Sequence, residues 1–132
     1  MTPHFSLAEL TYTDHRTLDN TPDAAALANL QRLAEFLEKV KELLRFRPVM
    51  INSAYRSAAV NAAVGSKDSS QHRLGCAADI RVPGMTPKEE VQASVDSDLP
   101  FDQCIKEFDR WTHVSIPNTP GAAPRRQTFS IG

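Results

Sequence analysis

The sequence has no long apolar run, no surplus of charge and almost no cysteine, and each shortage closes off a class of function. No stretch approaches the ~20 consecutive apolar residues that a membrane-crossing helix needs. The 15 Lys and Arg are balanced by 16 Asp and Glu, for a formal net charge of -1, and no basic run stands out. There is thus no electrostatic footprint for nucleic acid. The opening residues Met1-Thr2-Pro3-His4-Phe5-Ser6 lack the basic start and apolar core of a secretory signal, so the protein is expected to start out in the cytoplasm or to leave it by another route. Of the 2 cysteines, Cys76 and Cys104, neither has a C-x-x-C partner, and both read as free, half-buried thiols. No internal repeat is present.

What remains is a chain of 132 residues, read as a monomer with one domain and one modest core. Residues 1–21 form a weakly patterned N-terminal segment in which Ser6 and Glu9 have capping-box spacing. His4 and His15 read as surface residues there. The longest periodic segment is 22–46: Leu27, Leu30, Leu33, Ala34, Leu37, Val40 and Leu44 recur at steps of three and four, as on one face of a helix. Thr21 or Asn20 is expected to cap it, with Pro22 in the first helical position and Asp23 at the positive end. A strand over 48–55, a short helix over 58–64 capped by Ser57, a loop over 65–75 and a strand over 77–82 follow. Thr86 and Glu89 open a helix to Val95, and 101–108 and 111–116 read as strands. From Pro117 on the chain reads as a polar tail, with Arg125 and Arg126 solvated. Helices first and short strands later suggest an α+β fold, a small, mostly antiparallel sheet with helices packed on one face.

The chemistry concentrates in Ser70-Gln71-His72-Arg73-Leu74-Gly75-Cys76-Ala77-Ala78-Asp79 and in Trp111-Thr112-His113. A lone His or Asp is usually a surface group or a cap; the argument rests on the combination. His72 stands at a loop-to-strand junction, and Asp79 lies in a small, apolar strand where an unpaired carboxylate is costly. Gly75 allows a sharp turn between them, and Ala77 and Ala78 keep bulk away. His113 shares its strand face with Trp111 and Ser115. Two imidazoles and one carboxylate suit zinc, and three protein ligands leave the open fourth position of a catalytic site.

Hydrolysis at such an open metal site also needs a base for the attacking water. Glu107 and Asp109 are the candidates. In one continuous strand over 107–113 both share a face with His113. In a hairpin centred on Arg110 only Glu107 lies opposite His113, so Glu107 is the better placed. Arg56, at the end of a strand, is a candidate clamp for a substrate carboxylate. Ser53, Tyr55, Ser70 and Gln71 are candidates for further hydrogen bonds to substrate, and Trp111 for a substrate contact.

Ser70-x-His72-x-x-Gly75-x-Ala77-x-Asp79 resembles the signature of the D-Ala-D-Ala carboxypeptidase family of zinc peptidases, peptidase M15. Ser53-Ala54-Tyr55-Arg56-Ser57 is similar to the block preceding it in that family, and Trp111-Thr112-His113 to its third motif. Phe5–Pro22 resembles, more weakly, the start of phage-associated members. The resemblance implies zinc on His72, Asp79 and His113, bacterial cell-wall peptide as substrate, and Arg56 binding a carboxylate or polarising the scissile carbonyl. It implies cleavage of D-Ala-D-Ala, L-Ala-D-Glu or related bonds, by a carboxypeptidase or an endolysin that a phage holin lets reach the wall. Many members carry the acid three positions before the last His, where this chain has Arg110; another branch carries it six before, matching Glu107. The hedgehog signalling domain, a distant relative, shares that arrangement. The alternative function is therefore a non-catalytic zinc-containing module that binds cell wall or belongs to a phage tail.

Overall fold

In the computed structural model, which describes residues 1–132, the helix α2 (Ala24–Leu43) starts at Asp23, whose side chain accepts from the Ala26 N–H. The cap is therefore neither Thr21 nor Asn20, and Pro22 lies outside the helix. Asn20 instead ties loops together: its amide donates to the carbonyls of Thr11 and Tyr55, and its Oδ1 accepts from the Ser57 N–H. The apolar stripe of α2 is buried as its spacing requires, at Leu30, Leu33, Ala34, Leu37 and Val40. Each such Leu contributes roughly 1.5–3 kcal/mol. Leu27, at the start of the stripe, is exposed, whereas Phe36, off the stripe, is buried.

The other elements are α1 (Leu7–Leu10), β1 (Met50–Ser53), α3 (Ala58–Ala63), α4 (Gln71–Leu74), β2 (Ala77–Arg81), α5 (Pro87–Val95), β3 (Gln103–Glu107), β4 (Trp111–Ser115) and β5 (Gln127–Ile131). Capping boxes at Ser6/Glu9 and Thr86/Glu89 start α1 and α5, as their spacing indicates. The strands form one sheet in the order β1-β2-β4-β3-β5. The first four pair antiparallel, and β5 runs parallel to β3. The fold is thus α+β with a mixed sheet. The fifth strand lies within the segment read as a polar tail, and α4 lies within the segment read as a loop.

Alternation along the strands divides the sheet into two faces. Ala78, Ile80, Cys104 and Val114 join the residues of α2 in the main core, with Val91 and Ala93 of α5 packed against it, so these two helices cover this face. Both cysteines are free and fully buried rather than half-buried. On the opposite face the register places Ser53, Asp79, His113, Ile105 and Phe129 in one row across all five strands. Beside it runs a second row, Trp111, Glu107 and Ile131.

The tail's arginines are engaged. Arg125 pairs with Asp102. Arg126 donates to the carbonyls of Ser94 and Val95 in the last turn of α5 and of Ser97 just past it, and stacks its guanidinium 4.7 Å from the Phe101 ring centre.

Candidate metal centre

The short helix α4 delivers His72. The Ser70 hydroxyl caps it, accepting from the His72 N–H at 3.2 Å, so this hydroxyl, a candidate for substrate, is engaged by the backbone. Gly75 ends the helix at φ +79°, and a Cβ there would lie 2.9 Å from the Ala26 carbonyl oxygen and 3.1 Å from Leu30 Cγ. Only glycine permits both the left-handed turn and this approach to α2. The motif glycine therefore acts through backbone packing as much as through the turn.

His72 is buried, and its Nδ1 lies 2.6 Å from the Ala54 carbonyl oxygen. A carbonyl only accepts, so Nδ1 carries a proton and Nε2 is the nitrogen turned inward. That nitrogen stands 3.3 Å from Oδ1 of Asp79. At this distance a proton or a metal ion bridges the nitrogen and the carboxylate oxygen. His113, the register partner of Asp79 across β2 and β4, places Nδ1 3.1 Å from the same oxygen. The two imidazoles meet edge to face, with ring centres 5.2 Å apart.

The three donor atoms lie within 4.8 Å of one another. Neighbouring ligands of a tetrahedral ion with bonds of ~2.0 Å stand about 3.3 Å apart, so small movements suffice to admit one. Nitrogen and carboxylate donors together suit zinc. The site can therefore hold a metal on His72, Asp79 and His113. Burial acts to raise the Asp79 carboxyl, but the charge and hydrogen bonds of the two imidazoles outweigh it and hold the group well below the usual carboxylate range.

Arg56 stands at the rim. Its NH2 group donates to Oδ2 of Asp79 at 3.3 Å, and its Nε donates to the Ser53 hydroxyl at 3.1 Å. With Oδ2 held by Arg56, Oδ1 is the oxygen turned to both imidazoles. Five N–H groups belong to a guanidinium, so others remain for a ligand.

The hairpin of β3 and β4 turns through Phe108 and Asp109, both at positive φ, and not around Arg110. Glu107 therefore pairs with Trp111, and Ile105 with His113. Glu107 shares the face of His113 as its diagonal neighbour rather than lying directly opposite. Such diagonal pairs are about 7–8 Å apart. Its Oε2 accepts from the Trp111 indole N–H at 2.8 Å. Asp109 sits at the turn tip, exposed, with its carboxylate 2.9 Å from the Lys106 ammonium.

His72, Asp79, His113 and Arg56 are thus brought together, with Glu107 and Trp111 beside them. Tyr55 is buried in the main core. The Gln71 amide donates into the fold, to Asp102, the Ile116 carbonyl and Asn118. Sequence reasoning missed the Ala54 carbonyl, since a backbone acceptor carries no residue-type signal. It also missed Phe129 and Ile131, which extend the site's face along β5.

Comparison with known families adds an independent line. A family model described as Peptidase M15 matches residues 3–115, from the N-terminal segment to the end of β4 and short of β5. No curated protein matches the chain.

Proposed function

The chain belongs to the peptidase M15 family, and from that footing we propose that it is a zinc-dependent peptidase hydrolysing peptide bonds of bacterial peptidoglycan, in stem peptides or cross-links. The observation that carries the reading is the convergence of His72, Asp79 and His113, whose donor atoms gather on one buried carboxylate oxygen. Zinc bound there supplies Lewis acidity toward the scissile carbonyl and the attacking water.

The chain's own groups do the rest. Glu107 takes the proton of the attacking water and delivers it to the leaving amine. Its carboxylate is partly exposed on the site's face, and the Trp111 N–H holds one oxygen while leaving the other for this exchange. Arg56 uses its remaining N–H groups to anchor a substrate carboxylate, while the pair with Asp79 keeps the guanidinium from swinging away. Trp111 offers an aromatic edge beside the bond to be cut. The protein acts at the wall, virion-associated or released through a phage holin.

The test is digestion of purified peptidoglycan with and without chelator, and after zinc is restored, read by mass spectrometry. Zinc-dependent release of free D-Ala identifies a carboxypeptidase. New internal amino termini identify an endopeptidase with a lytic role. A protein that binds zinc yet cleaves none of several wall chemistries is a binding module.

A further inference from the structure

Next to His72 in α4, Gln71 is buried and holds three acceptors with one amide group: Asp102 Oδ2 at 3.1 Å, the Ile116 carbonyl at 3.0 Å and Asn118 Oδ1 at 2.7 Å. An amide has two N–H hydrogens, so its donors are oversubscribed. The orientation is nonetheless forced, because the flipped amide would set its oxygen against the Asp102 carboxylate and the Ile116 carbonyl, which only accept. The cost is visible at the other end, where Gln71 Oε1 is buried without a partner. Something must relieve the demand from Asp102, a carboxylate only 3 % exposed. Arg125 does so, donating from its backbone N–H and Nε to Oδ1 at 3.1 Å and from NH2 to Oδ2 at 2.6 Å.

This chain of contacts reaches the metal centre on one side and the tail on the other. The opposite flank of α4 is held by α2, through Gly75 and through Asn29, whose amide donates to the Leu74 carbonyl. On the side of the sheet, the His72 ring and carbonyl meet Ala54 and Arg56 just past β1, and Gln71 is the side-chain anchor toward the end of β4. Asp102 is itself fixed to β4 by its N–H, which donates to the Ser115 carbonyl at 2.8 Å, two residues from His113. The link therefore sets the helix bearing His72 against the strand bearing His113. Arg125 lies beyond the residues that the family model matches.

We propose that the Asp102–Arg125 ion pair is a positioning device for the metal centre, holding Gln71, and through it His72, at the spacing a metal requires. The proposal rests on the metal reading above. Without the guanidinium, Asp102 keeps a buried charge that draws on Gln71 alone among side chains, and α4 loses its fixed distance from β4.

The test is zinc affinity of the full-length protein, by competition with a chromogenic chelator, alongside the melting temperature without metal. Arg125→Gln is expected to weaken zinc binding about tenfold, at the lower end of what outer-shell partners contribute. Arg126→Gln is the matched control: it frees the same segment from α5 and Phe101 but does not touch Gln71. It is expected to lower the melting temperature and leave zinc affinity within about twofold. Gln71→Met keeps the Asp102–Arg125 pair and removes the link; it must also weaken zinc binding, which keeps the test open if Arg125→Gln does not fold. Unchanged zinc affinity in Arg125→Gln or Gln71→Met overturns the proposal, as does equal weakening in Arg125→Gln and Arg126→Gln. A wild-type protein that binds no zinc overturns the metal reading itself, a distinguishable result.

Discussion

Arg56 donates to one oxygen of Asp79 at 3.3 Å, and in doing so decides which oxygen the two imidazoles share. The carboxylate would otherwise be free to rotate and present either edge. On the proposed function Arg56 thus has two tasks, one toward Asp79 and one toward substrate. Arg56→Ala is expected to weaken zinc binding about 10–100-fold as well as to raise KM. Arg56→Lys restores little, because an ammonium cannot hold Ser53 and Asp79 in one planar fork. Chelator competition and steady-state kinetics on the same preparations separate the two effects; full zinc affinity in Arg56→Ala would limit the residue to substrate.

Glu107 and Asp109 differ in where the turn puts them. Glu107→Gln is expected to lower kcat/KM by about 10²–10⁴-fold while zinc content and melting temperature stay unchanged. Asp109→Asn removes only an exposed contact to Lys106 and is expected to leave turnover as it was. Assay of both variants against one peptide substrate decides between them, and a larger loss in Asp109→Asn reverses the assignment.

Gly75 is predicted to tolerate no side chain. Gly75→Ala meets both the left-handed backbone and the Ala26 oxygen at 2.9 Å. The expected cost is about 2 kcal/mol, read as a lowered midpoint in urea. Because the strain falls on the helix that carries His72, zinc affinity should fall with it. A variant as stable as wild type would show that α4 can shift away from α2 freely.

Glu90 gives a pH dependence unrelated to the metal. It is buried on the inner face of α5 beside Thr112, and its Oε1 has no hydrogen-bond partner within the usual distance. Burial pushes its carboxyl from the ordinary 4.5 up to about 7, with the Thr112 hydroxyl acting against the rise and the Glu89 charge adding to it. The folded-state value lies above the unfolded one, so the stabilising protonated form is fully present below about pH 4.5 and lost as pH rises through about 7. The loss is on the order of a few kcal/mol. Glu90→Gln should flatten this slope and be the more stable protein at pH 8. Urea unfolding of both at pH 5 and pH 8 checks it, and parallel slopes would place the Glu90 carboxyl in contact with solvent.

Local patterns in the sequence carry much of this molecule. The stripe of α2 and the capping boxes at Ser6 and Thr86 are short-range signals with short-range causes. The grouping of His72, Asp79 and His113 was legible because strand alternation and a glycine turn bring such residues to one face. What was not legible depends on partners far along the chain. β5 has no buried alternation, since every residue of Gln127–Ile131 is exposed, and its pairing is with a parallel strand 24 residues earlier. Arg125 reads as solvated until Asp102, 23 positions away, is seen beside it. The cap at Asp23 turned on Asn20 being drawn off to Tyr55 and Ser57. The register of the hairpin turned on Phe108 and Asp109 accepting positive φ, which bulky residues rarely do.

The outer edge of β5 has a further consequence. Neither lysine nor proline interrupts Gln127-Thr128-Phe129-Ser130-Ile131, and no strand lies beyond it. Its unpaired backbone groups form a template to which another extended chain can add. A sixth strand added there would extend the sheet in its own plane and leave the face that carries the row from Ser53 to Phe129 uncovered.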